Sequence, residues 1–285
     1  MNSKPKNKIL SVLAHPDDET FGMGGTLALY AQRDVEVHLV CATRGELGDI
    51  DPEYTETIRS AACLRTQELR CAVGLLGIDQ LHFLNYRDSG MPGSEANSHP
   101  KALAAQPIEK VAEQVSSIIR QVKPDVVITF DPIGGYRHPD HIAIHRATVR
   151  AFELAGDAAY DDPEGFPPFK PSRLYFHTIN HTFLKIVVWV LRLIGQDPRH
   201  FGRNKDIDIV SLTEVDYPTH VKIDYRPVKD IRKQAAACHA SQGGADMDKG
   251  FRGVITRLFG GHHDIYMQAY PEPTPGQRVK RDLFG

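Results

Sequence analysis

The chain is expected to fold as a three-layer α/β domain built on a mostly parallel sheet. Three observations predict this. Strand-like and helix-like segments alternate along most of the 285 residues, which implies βαβ units. The strand-like runs are apolar throughout, as in a sheet covered on both faces. Two polar clusters, residues 14–19 and 138–141, follow two of those runs, and such sheets bind ligands beyond the carboxyl ends of their strands.

The elements follow in order. KILSVLAH (8–15) is a short apolar strand ending at polar residues, and FGMGGTLALYAQRD (21–34) follows at helical period. VEVHLVCAT (35–43) is β-branched and strand-like. Residues 55–77 read as a helix, with Ala61, Ala62, Leu64, Leu69, Val73 and Leu76 toward the core. LHFLN (81–85) is a third strand, 107–122 a helix, and PDVVITFD (124–131) a strongly apolar strand. HPDHIAIHRATVRAFELAG (138–156) is helical, and RLYFHTI (173–179) and HVKIDY (220–225) are later strands. PVKDIRKQAAACHASQ (227–242) is the closing helix. Residues 86–106 and 157–172 are rich in turn formers and read as loops, and loops of this length are often functional. The length fits a single domain, 1–285, with an insertion or cap at about 157–220 and a flexible, Pro-rich tail from about 271.

Composition narrows the function classes. The formal net charge is −2 and no long basic run occurs, so a nucleic-acid or anionic-membrane partner is not expected. Cys41, Cys63, Cys71 and Cys238 form no C-x-x-C pair, and MNSKPKNKIL runs straight into a strand. A cytosolic (cytoplasmic) protein with reduced, mostly buried thiols and no cysteine zinc site is expected. FLKIVVWVLRLI (183–194) carries Lys185 and Arg192 and is too short to cross a bilayer, so a partly buried helix is expected there.

The chemistry concentrates in the two clusters. AHPDDE (14–19) places one imidazole and three carboxylates within five positions, and like charges this close need a cation or strong hydrogen bonds. HPDH (138–141) opens a helix on Pro139, so His138 and His141 can face the same way. Two imidazoles and a carboxylate around an open position suit a catalytic divalent metal. The natural ligands are His15, Asp18 and His141, which leaves Asp17 as general base for the attacking water. His138, held by Asp140, is then an imidazolium that stabilises an oxyanion or protonates a leaving amine. Helix capping by Asp17 and Asp18 is the plain structural alternative. An H-x-D…H ferrous oxygenase triad is a rival, although its usual scaffold is an antiparallel jelly roll. The adjacent His262 and His263 are expected to be structural.

These motifs resemble the LmbE-like (PIG-L) N-acetylglucosamine deacetylase family. The likeness comprises AHPDDE with Gly22, Gly24 and Gly25, TRGELG (43–48), Arg65 and Glu68 in LRTQEL, FDPIGGYRHPDH (130–141) and HASQ (239–242). It covers most of residues 8–150 and recurs near 230–242. It implies a Rossmann-like fold and one zinc ion on His15, Asp18 and His141, with ferrous iron as the alternative metal. It implies Asp17 as base and a His138–Asp140 pair as electrostatic partner or acid. The closest motifs are those of the mycothiol-related branch. There Tyr136 resembles a tyrosine that polarises the amide carbonyl, RDSGMP (87–92), with Asp88 and Ser89, resembles a loop near the sugar, and Arg65 resembles a substrate-contacting arginine. His239 is a further substrate candidate. The activity implied is metal-dependent N-deacetylation of a small amino sugar. The alternatives are an amidase on another N-acyl or thiol-conjugate substrate and a non-catalytic, metal-dependent sugar-binding protein. A homo-oligomer is compatible with the sequence. Residues 157–220 do not align with the family motifs and are expected to help shape the mouth of the site.

Overall fold

The first five strands of the chain lie side by side in the computed structural model, which describes residues 5–48, 50, 54, 60–201, 207–246 and 261–285. The strands are β1 (Lys8–Leu13), β2 (Glu36–Cys41), β3 (Gln80–Phe83), β4 (Val126–Phe130), β5 (Arg173–Thr178), β6 (Val221–Asp224) and β7 (His263–Tyr270). They form one sheet in the order β3-β2-β1-β4-β5-β7-β6. Strands β1 to β5 are parallel, and β7 runs antiparallel between β5 and β6. Consecutive residues of β1 and β4 are buried regardless of which face they point to, so both faces are covered.

The helices are α1 (Asp18–Ala31), α2 (Ala61–Leu76), α3 (Ile108–Val122), the short α4 (Gly134–Arg137), α5 (Pro139–Gly156), α6 (His181–Leu193), the short α7 (Ile209–Leu212) and α8 (Lys229–Cys238). The crossovers through α1 and α2 step one way across the sheet, and those through α3 and α5 step the other. Right-handed connections therefore put the two groups on opposite faces. Accordingly α1, α2 and α8 pack together, and α3 packs on α5. This is the expected three-layer arrangement. The strand order reverses between β1 and β4, which opens a crevice at their carboxyl ends. A parallel core of this kind also removes the jelly-roll scaffold that the oxygenase alternative favoured.

Local signals explain several boundaries. Ser60 caps α2 by accepting the Cys63 N–H at 3.2 Å, and Gly77 ends the helix at φ +73°. Of the expected helix over 55–77, residues 55–59 lie outside the described residues. The closing helix ends at Cys238, and 240–242 form a separate 3-10 turn.

Three expectations are corrected. Cys71 on α2 and Cys238 on α8 form a disulfide, so not all cysteines are reduced, and free Cys63 is exposed. Packing of α2 against α8 brings together two residues 167 positions apart, which no local spacing signals. The tail is docked rather than flexible: the Leu283 N–H donates to the Tyr30 hydroxyl at 2.7 Å, and Lys280 exchanges backbone hydrogen bonds with His220 and Lys222. Within 157–220, residues 173–178 are a strand in the middle of the sheet, and only the part beyond it, with α6 and α7, carries a small core of its own. Strand β7 is absent from the expected elements altogether. No helix among the described residues is long and apolar enough to cross a membrane.

Candidate active site

The polypeptide leaves β1 at Leu13 and turns sharply before α1. Asp17 occupies the N-cap position of α1 at φ +119°, a conformation that costs a non-glycine residue energy. Its side chain makes no capping hydrogen bond. Instead its Oδ2 accepts from Arg65 Nη2 at 3.0 Å, and its backbone N–H donates to Glu19 Oε2 at 3.0 Å. The capping alternative therefore fails for this carboxylate, and strain held in place by the surroundings is a feature of functional sites.

His15, Asp18 and His141 meet where β1 and β4 end. His15 Nδ1 lies 3.2 Å from His141 Nε2. Asp18 turns one oxygen to each ring, with Oδ2 3.6 Å from His15 Nδ1 and Oδ1 3.3 Å from His141 Nε2. The other ring nitrogen of His141 faces the Gly134 carbonyl at 3.2 Å, and its ring stacks on Phe130 with centroids 3.9 Å apart. Such outer contacts orient an imidazole for a metal. Among the described residues, two groups have donor atoms all within 4.8 Å of one another: His15, His138 and His141, and His15, Asp88 and Asp140. This His/Asp cluster can hold a metal ion.

The expected His138–Asp140 side-chain pair is not formed. His138 is the N-cap of α5, and its Nδ1 accepts the backbone N–H of Asp140 at 3.2 Å. The Asp140 carboxylate turns away to His15 Nε2 at 3.1 Å, to the Ser89 N–H at 2.9 Å and to the Ser89 hydroxyl. Asp140 therefore holds His15, not His138. Tyr136 packs edge-on against His138 and His141, with centroids 5.7 and 4.9 Å away. The turn carrying it is set by Asp131 Oδ1, which accepts the N–H groups of Ile133 and Gly135 at 3.1 and 2.9 Å.

The four expected substrate contacts are all buried and already paired with protein groups. Arg65 donates to Asp17, to the Pro16 carbonyl at 2.7 Å and to the Gly45 carbonyl at 3.0 Å. It is neither a surface partner of Glu68 nor open to solvent, since Glu68 instead accepts from the Ser241 N–H and hydroxyl, both at 2.8 Å. Asp88 accepts from the Gly90 N–H at 2.8 Å and lies 3.6 Å from His15 Nε2. Ser89 Oγ serves Asp140 and accepts the Ala104 N–H at 2.9 Å. His239 pairs with Glu19, Nε2 to Oε1 at 2.8 Å. A motif locates these residues near the site, but it does not say which way their polar atoms point. Sequence reading missed Glu19, Phe130, Asp131 and the Glu68–Ser241 contact. Glu19 was in view within AHPDDE, and helical spacing gave no sign that it turns inward.

Crowded charge shapes the protonation states. Burial lifts the Asp17 carboxyl to about 6; Arg65 opposes the rise and Asp18 adds to it. Burial also works against the Asp18 carboxylate, but His141 and His15 outweigh it and hold its pKa well below the usual range. His15 is disfavoured as a cation by burial, yet Asp88, Asp140 and Asp18 raise its pKa well above the ordinary value. Burial, then His15 and His141, push His138 down to about 2, so it is neutral at pH 7 and not the expected imidazolium. The cluster is thus an acidic trap for positive charge, with Arg65 fixed at one side.

Residues 10–152 match the family described as PIG-L: GlcNAc-PI de-N-acetylase. The 1D-myo-inositol 2-acetamido-2-deoxy-alpha-D-glucopyranoside deacetylase of Rhodococcus jostii is 35% identical over 246 residues, which is 83% of this chain and 82% of that protein. Among solved structures, the fold is similar to N,N'-diacetylchitobiose deacetylase from Pyrococcus horikoshii, with TM-score 0.63 and 20% identity over 92% of this chain and 83% of that one. It is also similar to 4-carboxy-2-hydroxymuconate hydratase from Pseudomonas putida, with TM-score 0.62 and 17% identity over 95% of this chain and 100% of that one. A deacetylase and a hydratase share this scaffold, so the fold alone does not choose the reaction.

Proposed function

The chain belongs to the PIG-L (GlcNAc-PI de-N-acetylase) family, and from that premise we propose that it is a zinc-dependent hydrolase that removes the acetyl group from the nitrogen of an N-acetylglucosamine-type sugar. The observation that carries the proposal is the spacing of His15, Asp18 and His141. Tetrahedral zinc with bonds of 2.0–2.2 Å needs donors about 3.3–3.6 Å apart. The two ring nitrogens are 3.2 Å apart, and Asp18 presents Oδ1 3.3 Å from His141 Nε2 and its other oxygen, Oδ2, 3.6 Å from His15 Nδ1, so the spacing of the two imidazoles and of either oxygen to its nearer ring is close to that requirement. Ferrous iron accepts the same donor set. A divalent metal held there supplies Lewis-acid polarisation of the amide carbonyl and acidification of water.

The protein's own groups do the rest. Asp17, ionised at neutral pH and aimed by Arg65, accepts the proton of the attacking water. As the C–N bond breaks, the Asp17 carboxyl returns that proton to the departing nitrogen, which gives the amine and acetic acid; the second water proton leaves on the acid, which ionises to acetate at neutral pH. His138 accepts a backbone N–H at Nδ1, so its neutral ring carries its proton on Nε2 and donates from there to the developing oxyanion. Burial raises the Tyr136 phenol above its ordinary value, so it stays protonated and is a second donor to the carbonyl oxygen. Asp140 and Asp88 orient His15.

The test is amine release from N-acetylglucosamine and from its α-linked inositol glycoside, with metal content measured on the same protein. Release that a chelator abolishes and zinc restores supports the reading. Stoichiometric metal with no release from any sugar acetamide rejects deacetylation and leaves a binding role or a different N-acyl substrate.

A further inference from the structure

The structure assigns a positioning role to the buried Glu19–His239 pair: it fixes the main chain of Asp17, through a ring of hydrogen bonds that the 239–242 turn closes. This rests on the reading of Asp17 as the base. Glu19 and His239 are both 0% exposed, so neither touches a substrate. One Glu19 oxygen accepts the Asp17 N–H, and the other accepts from His239 Nε2 and from the Thr20 hydroxyl. The His239 ring is further held edge-on by Phe21 at 5.7 Å.

Two residues on, Ser241 gives its N–H and its hydroxyl to the two oxygens of Glu68. Glu68 sits one turn along α2 from Arg65, and Arg65 returns to the Asp17 carboxylate. The ring therefore holds the base twice, by its backbone through Glu19 and by its carboxylate through Arg65. A residue at φ +119° relaxes unless its surroundings over-determine it. His239 supplies that constraint from 220 positions away by fixing the carboxylate that receives the Asp17 N–H.

The test compares two variants of the zinc-loaded full chain. In His239→Gln the side-chain amide nitrogen falls near the place of Nε2 and can still reach Glu19. In His239→Asn it falls near the place of Nδ1 and cannot. Both keep a polar amide in the same pocket, so a general loss of stability affects them alike. We expect His239→Asn to lower kcat about 10–100-fold with KM and zinc content unchanged, because misplacing a reacting group by about 1 Å costs up to that much. His239→Gln restores most of the loss. A crystal structure of the Asn variant should show the Asp17 backbone leaving its left-handed conformation and the carboxylate displaced by more than about 0.5 Å. Equal kcat in the two variants with Asp17 unmoved overturns the proposal. So does a rise in KM alone, which would mean that His239 meets substrate, and so does loss of zinc, which would place it in support of the ligands. If the wild-type chain releases no amine, the deacetylase reading fails, and the crystallographic displacement by itself decides the positioning role.

Discussion

The carboxyl ends of β1 and β4 and the α6–α7 layer are held together by opposite means. At the strand ends many of the buried side chains are polar and hydrogen-bond to one another, as in Asp140 between His15 and Ser89. In the α6–α7 layer Val187, Val188 and Leu191 pack on Ile209, while Trp189 and Leu193 on the reverse of α6 are 63% and 64% exposed. Directional bonds specify positions to fractions of an ångström, and losing one leaves a buried group unpaired. Apolar contact is non-directional and graded by area. The first region should therefore respond sharply to single-atom changes, and the second in proportion to the buried volume removed.

The largest break expected is Asp17→Asn. It keeps the shape and removes the proton acceptor, so kcat should fall by about 10²–10⁴ while zinc content is unchanged. Kinetics beside metal analysis decides it, and retained turnover sinks the base assignment. The ligand set comes next. Asp18→Asn or His141→Ala should weaken zinc by more than about 100-fold, the upper end of what a supporting group costs. His138→Ala should keep the metal and lose rate, and zinc loss in His138→Ala would instead favour the three-histidine grouping.

The pH profile sharpens the same point. Asp17 must be ionised to act, so kcat/KM should fall tenfold per unit below its pKa and be unaffected above it. Burial sets that pKa at about 6, and a neighbouring cation favours the carboxylate, so metal moves the acid limb lower. A limb centred well above 6 in the loaded enzyme contradicts the assignment.

Stability changes should be smaller and sit elsewhere. Removing the Cys71–Cys238 bridge as the double serine variant should cost about 2–4 kcal/mol in denaturant unfolding, since it closes a long loop. In α6, Leu191→Ala should cost about 2–5 kcal/mol if its pocket does not collapse. Trp189→Ser, on the exposed side of the same helix, should stay within about 0.5 kcal/mol with turnover unchanged. A large loss of stability in Trp189→Ser would show that the outer face of α6 is covered in solution.

Much of this molecule is legible before any coordinates, and the limits are physical. The expected strands at 8–15, 35–43, 124–131, 173–179 and 220–225 each contain a sheet strand, and 81–85 overlaps β3 shifted by one residue at its start, because apolar runs between turn formers report burial directly. Strand β7 carries no such signal. HDIYMQAY mixes polar and apolar residues, and its place is fixed by pairing with β5 and β6 rather than by its own pattern. At the site, AHPDDE and HPDH identified which residues gather but not their orientation. Arg65 was expected to face a substrate and Asp140 to face His138; the first aims Asp17 and the second aims His15.

The sequence by itself determined the alternation of elements, the two acidic and imidazole clusters at strand ends, and the family. Each depends on residues adjacent in the chain, where spacing and helical or strand period leave little freedom. Only the tertiary structure decided that His239 backs Glu19, that Cys71 reaches Cys238, and that Asp17 stands in a strained turn with its carboxylate freed from capping. Those outcomes depend on which distant segments the strand order and helix packing bring together, and a buried polar group takes the partner within reach.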